Sequence, residues 1–305
     1  MPINKLYYFL KPVIPRNIQL YLRRKLARLK RVRYSHVWPI DPESARPPEK
    51  WPGWPDGKTF ALILTHDVDT LQGHDKSLNL MNVEYEMGFR SSFNFVPERY
   101  RVSPDLRERL IQNGFEVGVH GLLHDGKLYS SRKIFLERAK SINFYLKEWN
   151  AVGFRSPAMH HNLEWLFDLD IEYDASTFDT DPFEPQSDGV RTIFPFYVSD
   201  SSRKRGYVEL PYTLVQDHAL FIILNEGDIS VWKRKIDWIA EKGGMALLNT
   251  HPDYMAFEPN KQKQEEYPID LYLAFLKYLK NTYHNSYWHV LPREMACFWK
   301  SFSFQ

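Results

Sequence analysis

Five short segments each place residue types used in hydrolysis at or just past the end of an apolar run. They are Leu64-Thr65-His66-Asp67-Val68-Asp69, His120-Gly121-Leu122-Leu123-His124, Phe154-Arg155-Ser156-Pro157, Tyr173-Asp174-Ala175-Ser176 and Leu248-Asn249-Thr250-His251. Asp67 and Asp69 flank Val68, and alternate residues of an extended segment share a face, so the two carboxylates converge. His120 and His124 stand at i and i+4, which on a helical turn aims both imidazoles the same way. Two imidazoles and one carboxylate leave coordination positions open on a divalent ion, as catalysis requires, and free the second carboxylate to act on a bound water. Hydrolysis of an amide then needs a base for the water and a separate acid for the leaving amine. Asp67 and His251 are the candidates. Singly, each segment also fits a surface histidine pair or an aspartate capping a turn. What supports a site is the set, since such chemistry gathers its groups from distant segments.

Alternating elements must position these groups. Strand-like runs at 60–64, 92–96, 116–119, 152–155, 171–176, 246–249 and 287–291 alternate with helix-like runs at 78–87, 104–112, 133–149, 231–242 and 271–281. A short helix is expected around 163–167, and a more β-rich section covers 193–198 and 207–214. Gly88 and Gly114 sit where helix stops belong. Repeated β then α units imply a mainly parallel sheet, and seven or eight strands in one domain favour closure into a barrel with its functional groups at the C-terminal strand ends. All five segments fall at such ends. Three regions result: a basic amphipathic segment at 1–33, a Pro- and Trp-rich linker or wrapping arm at 34–57, and a catalytic domain at 58–305.

In this order and placement the segments resemble the polysaccharide deacetylases of the NodB-homology type, carbohydrate esterase family 4, over about residues 59–291. The stretch Arg90-Ser91-Ser92-Phe93-Asn94-Phe95-Val96 is similar to the family's second strand. The resemblance implies an α/β fold, a distorted (β/α)7–8 barrel, carrying a metal-dependent hydrolase of N-acyl sugars. It implies Asp67 as general base, Asp69, His120 and His124 as ligands of one divalent ion, Arg155 as the group orienting the base, His251 as general acid and Asp174 as its support. Zinc is the expected ion, with Co, Ni, Fe or Mn as alternatives that such a ligand set accepts. The chain departs from the family where Val68 separates the aspartates, where His66 stands for Phe, and where Ala158 stands for a common aromatic. His160 and His161 are either substitutes for that aromatic contact or solvent-exposed loop histidines. The loop at 178–184 is either a substrate rim or an ordinary surface loop, and Glu209-Leu210-Pro211-Tyr212 is expected to border the site.

Cys297 is the only cysteine in 305 residues, which excludes an internal disulfide and a cysteine-based zinc knuckle. The short apolar run at 6–10 is broken by Lys11 and Pro12, and no uncharged stretch reaches the ~20 residues that span a bilayer, so a cytoplasmic location is expected. Residues 1–33 carry ten Lys or Arg and no acid, which leaves about minus eight on the rest of a chain with net charge +2. At helical pitch Ile18, Leu22, Leu26, Leu29 and Val32 share a face with the cations largely elsewhere. This pattern fits peripheral attachment to an anionic membrane surface, at the inner face of the cell membrane, and equally a helix docked on the protein's own acidic body. No recognition fold accompanies the charge, so no nucleic-acid partner is expected. The expected substrate is an N-acylated, above all N-acetylated, amino sugar of an envelope glycan or a lipid-linked precursor. A deformylase or cyclic amidase on the same fold, or a carbohydrate-binding protein without catalysis, are the alternatives.

Overall fold

The computed structural model describes residues 15–303 except 201, 203 and 204; the apolar run at 6–10 lies outside the described residues. Its centre is β1 (Phe60–Val68), nine residues buried on both faces, as a continuous apolar run in a parallel sheet must be. From β1 the chain runs through α2 (Leu71–Glu86), β2 (Ser92–Phe95), α3 (Pro104–Gln112), β3 (Glu116–His120), α4 (Arg132–Glu148), β4 (Gly153–Arg155) and β5 (Tyr173–Asp174). Neighbours β1 to β5 pair in parallel in sequence order. A hairpin follows, β6 (Phe196–Asp200) against β7 (Arg205–Glu209), with β7 parallel to β5. After α5 (Ser230–Lys242), strand β8 (Met245–Thr250) pairs with the far side of β1.

The result is a mostly parallel curled sheet, a half-barrel wrapped by helices. Between β7 and β8 the curl is spanned by one bridge, Leu214 with Leu248, reinforced by the Thr213 hydroxyl, which donates to Met245 O at 2.8 Å and accepts from Leu247 N at 3.0 Å. The remaining elements are the short pair β9 (Met255–Ala256) and β10 (Tyr267–Pro268), helix α6 (Ile269–Thr282), strand β11 (Tyr287–His289) beside the start of β1, and helix α7 (Pro292–Ser303).

Local chemistry sets the boundaries. Ser103 caps α3, with Pro104 as its first residue, and Ser131 caps α4. Gly88 and Gly114 follow α2 and α3 at φ +80, the left-handed conformation expected of helix stops. Helix α2 starts seven residues earlier than the sequence reading, and its first turn packs through Gly73 against Asp253; a Cβ there would lie 2.1 Å from the carboxylate. Helix α7 has no counterpart in the sequence reading.

The Pro/Trp-rich stretch lies against the body. Trp51 and Trp54 stack edge to face at 4.7 Å within a cluster that includes Phe194, Trp299 and Phe302, and the Trp54 indole donates to Gly243 O at 2.8 Å. Helix α1 (Arg16–Arg33) also packs on the body, through Leu20 and Ala27 and through its cations. Arg16 binds Glu265 (Nε at 2.7 Å), Arg31 pairs with Glu226, and Lys30 donates to Pro182 O at 2.6 Å. No helix among the described residues is long and apolar enough to cross a membrane.

Candidate active site

Strand β1 delivers the two aspartates to the C-terminal rim of the sheet. Asp67 is buried, its Oδ1 accepting from Asn94 Nδ2 at 3.1 Å and Arg155 Nη1 at 3.2 Å, and its Oδ2 accepting from Asn249 Nδ2 at 2.8 Å. Burial alone would push this carboxyl up, but the charges of His120, Arg155 and His251 outweigh it and hold Asp67 at about 2. It is therefore ionised and held by three donors, as a base needs. Its neighbour in the strand, His66, points the other way, as period-two alternation requires, and is satisfied by Glu84 at 2.9 Å and Thr250 Oγ1 at 2.8 Å.

Asp69 Oδ1 lies 3.3 Å from His120 Nε2 and 3.1 Å from His124 Nε2, and one ligand atom from each of the three residues falls within 4.8 Å of the others. That carboxylate oxygen is buried and has no aligned hydrogen-bond donor among the described residues. An orphaned anionic oxygen facing two imidazole nitrogens fits a divalent cation. His120 Nδ1 lies 3.0 Å from the Arg155 carbonyl, which can only accept, so Nδ1 carries the proton and Nε2 keeps its lone pair for a metal. The imidazoles converge by a different route from the helical turn expected. His120 ends β3, and the chain then turns through Gly121 at φ +61 to His124, itself at φ +52.

Arg155 ends β4, fully buried. Its Nε donates to Ala175 O at 2.7 Å, and its Nη1 reaches Thr65 Oγ1 at 2.8 Å and Asn249 Oδ1 at 2.6 Å besides Asp67. His251 follows β8, and its Nδ1 lies 2.7 Å from Asp217 Oδ1, while its backbone N–H donates to Asp217 Oδ2 at 2.8 Å. Burial lowers the imidazolium, but the Asp217 carboxylate, aided by Asp69 and Asp67, outweighs that and raises His251 to about 10. In the metal-free chain the imidazolium form of His251 is thus favoured, with Nδ1 engaged by Asp217.

Asp217 corrects the sequence reading, which gave the support of His251 to Asp174. Asp174 is buried in β5 and accepts from Ser176, its N–H at 3.0 Å and its hydroxyl at 2.7 Å. It lies beside Glu209, whose carboxyl burial and the Asp174 charge push well above the usual range. The same criterion that found the other groups, an acid just past a strand-like run, applies to Asp217 three residues beyond Leu214. Asn94 and Asn249 stood inside the quoted segments without a role, and the structure places both on Asp67.

The loop at 178–184 is not an ordinary surface loop. Phe178, Asp179 and Asp181 are buried, and Asp179 pairs with buried Lys235. From Asp67 a chain of hydrogen bonds runs through Asn249 to Gln216 Oε1 at 3.2 Å, from Gln216 Nε2 to Glu184 at 2.6 Å, and on to the Tyr212 hydroxyl, 2.8 Å from Glu184 and 2.9 Å from Asp181. His160 and His161 are half-buried; His160 shares a pocket of about 180 Å³ with His124, Tyr129 and Pro157. A cleft of about 600 Å³ is lined by Asp69, Thr70, His124, Tyr254 and, from α1, Arg16.

No protein-family model matches the chain, and no curated protein matches it in sequence. Solved structures match in fold. A Mycobacterium smegmatis protein assigned to the polysaccharide deacetylases superposes with a TM-score of 0.63 at 17% identity, covering 82% of this chain and 93% of that one. Puue allantoinase superposes at 0.65 with 14% identity over 87% and 98%, and a Pseudomonas aeruginosa PAO1 protein assigned to the polysaccharide deacetylases at 0.61 with 13% identity over 87% and 96%. The chain therefore has the fold of the polysaccharide deacetylases, the NodB-homology type that its motifs resemble.

Proposed function

We propose that this protein is a metal-dependent hydrolase that removes an N-acyl group, N-acetyl foremost, from an amino sugar of an envelope glycan or its lipid-linked precursor. The observation that carries the reading is the convergence of an ionised carboxylate, a protonated imidazole and an orphaned ligand oxygen at one rim of the sheet: Asp67, His251 and Asp69. Asp69, His120 and His124 would hold the ion, zinc foremost. When bound, such an ion lowers the pKa of a water and polarises the amide carbonyl.

The chain's own residues do the rest. Asp67 Oδ1 or Oδ2 takes the proton of the attacking water, Arg155 and Asn249 hold that carboxylate in place, and His251 gives its Nε2 proton to the departing amine nitrogen. Asp217 holds the ring by its Nδ1–H and favours the charged form. The test is acetate release from N-acetylated envelope intermediates by metal-loaded protein. Activity that falls by about 10³-fold or more in Asp67→Asn, with metal content unchanged, supports the reading. No release from any N-acetylated glycan or lipid-linked intermediate overturns it.

The similarity to Puue allantoinase favours a second reading, hydrolysis of another non-peptide C–N bond at the same site. Formate or a ring-opened product in place of acetate would select it.

A further inference from the structure

Helix α1 turns its apolar side outward. Ile18, Tyr21, Leu22, Leu26, Leu29 and Val32 are 41–77% exposed, while the buried positions are Gln19, Leu20 and Ala27. A helix that packs on a core normally shows the opposite arrangement. Cations hold the inner face instead: Arg16 on Glu265, Arg24 on Ile222 O at 3.0 Å, Lys30 on Pro182 O and Arg31 on Glu226. The body thus fixes the helix and leaves a continuous row of large apolar side chains in water, the kind of exposed patch that marks an interaction surface.

Charge decides what covers it. Lys25, Arg28 and Arg33 are exposed along the same outward side, with Lys25 5.0 Å over the Tyr21 ring, and no acid occurs in residues 1–40. A second copy meeting this face through its own α1 would set cation against cation, and residues 1–14 add only Lys5 and Lys11. An occupant that accepts a row of aliphatic side chains and supplies negative charge along its edges is a lipid surface with anionic headgroups.

We infer that the outward face of α1 docks this protein on an anionic membrane surface, with Leu22, Leu26 and Leu29 seated at the acyl boundary and Lys25, Arg28 and Arg33 among the headgroups. The inference goes beyond the proposed reaction and does not depend on it. Arg16, in the first turn of α1, lines the cleft that holds Asp69 and His124, so the docked face lies beside the mouth of the site. Where the deacetylase reading holds, an amide carried on a lipid anchor is the substrate form that this arrangement suits.

The test is co-sedimentation of the full chain with phosphatidylcholine vesicles containing about one-third phosphatidylglycerol, against phosphatidylcholine alone, without any glycan substrate. The full chain is expected to bind the anionic vesicles, and Leu26→Asp with Leu29→Asp to lower the partition at least ~10-fold with melting temperature and metal content unchanged. Replacing Lys25, Arg28 and Arg33 together by Gln should lower it on the order of 100-fold, and carries the test if the leucine variant folds poorly. Absence of binding by the full chain, or binding indifferent to both variants, overturns the inference. Light scattering that shows a dimer dependent on Leu26 and Leu29, without vesicle binding, gives the face to a second copy. Binding only after removal of residues 1–14 gives it to that segment, and either result equally overturns the proposal. Because no step uses substrate, failure here leaves the proposed reaction standing, and failure of the reaction leaves this result intact.

Discussion

Asp217 holds the protonation of His251, and that makes the pair testable apart from the metal. Two contacts tie it to His251, at 2.7 and 2.8 Å, and the Tyr267 hydroxyl donates to its Oδ2 at 3.0 Å, so its carboxylate is fixed before any substrate arrives. Asp217→Asn removes the charge and keeps the shape. Since burial alone lowers an imidazolium, His251 should then titrate well below about 10, and the acid form should vanish as pH rises through the lower value. The expected outcome is kcat/KM lowered by on the order of 10³-fold, with the alkaline limb of the pH–rate profile displaced toward neutrality. An unmoved alkaline limb would assign that limb to another group. The ligands call for a separate measurement: His120→Ala should abolish the rise in melting temperature that added zinc gives the native chain, because an ion that binds only the folded state stabilises it by mass action.

At the scale of elements, what the sequence disclosed was set by how local the determining physics is. The buried runs, the serine caps and the glycine stops are local, and β1, α3 and the end of α2 lie where those residues predict. The first turn of helix α2, from Leu71, packs through Gly73 against Asp253, a contact 180 residues away in the chain that no window of residues reports. The candidate ligand set, Asp69, His120 and His124, was legible because its residue types are rare together, but the route that gathers it was not. Spacing i, i+4 suggested a helical turn, whereas Gly121 at φ +61 breaks β3 into a loop. Asp174 was misplaced for a related reason: both Asp174 and Asp217 lie at strand-like runs, and only the folded chain brings Asp217, 34 residues away in sequence, onto His251. The Gly121 turn yields a further prediction. An added Cβ would sit 2.5 Å from Pro157 Cγ, so Gly121→Ala should combine left-handed strain with that clash, cost about 2–3 kcal/mol, and weaken zinc binding by moving His124. Gly126→Ala, at φ +72 with nothing within 4 Å of its Cβ, should cost only about 1 kcal/mol and leave zinc affinity unchanged. Urea unfolding and zinc titration of the two variants separate strain from displacement. Equal losses of zinc affinity would mean the turn does not set His124.

Across the whole molecule, the basic N-terminal segment and the acidic remainder meet beside the loop at 178–184, where Lys30 lies on Pro182 and contributes positive charge near Asp181. Beneath that contact the buried carboxyl of Asp181 and the half-buried one of Glu184 share the Tyr212 hydroxyl, which can donate to only one of them at a time. Burial, and then the Asp181 charge, pushes Glu184 from its ordinary 4.5 up to about 8, so the folded chain keeps a proton there that the unfolded chain releases at lower pH. A folded-state pKa raised above the unfolded value gives stability that is complete below about 4.5 and is lost as pH rises through about 8. His251 acts in the same direction over a higher window, from 6.5 to about 10. Asp67, lowered from 3.8 to about 2, acts in the opposite direction, but only below pH 4. Between pH 6.5 and 9, above the range in which the lowered His160, His218 and His289 act the other way, Glu184 and His251 therefore add, and the urea midpoint of the metal-free chain should fall as pH rises. Glu184→Gln keeps an acceptor for Tyr212 and Gln216 but cannot ionise, so its midpoint should fall less than the native one between pH 5 and 8, while the His251 part, which runs from 6.5 to about 10, remains. A variant whose midpoint falls as steeply as the native chain between pH 5 and 8 would show that Glu184 is ionised in the folded state, and that the hydrogen-bond chain from Asp67 ends in a charge rather than a proton.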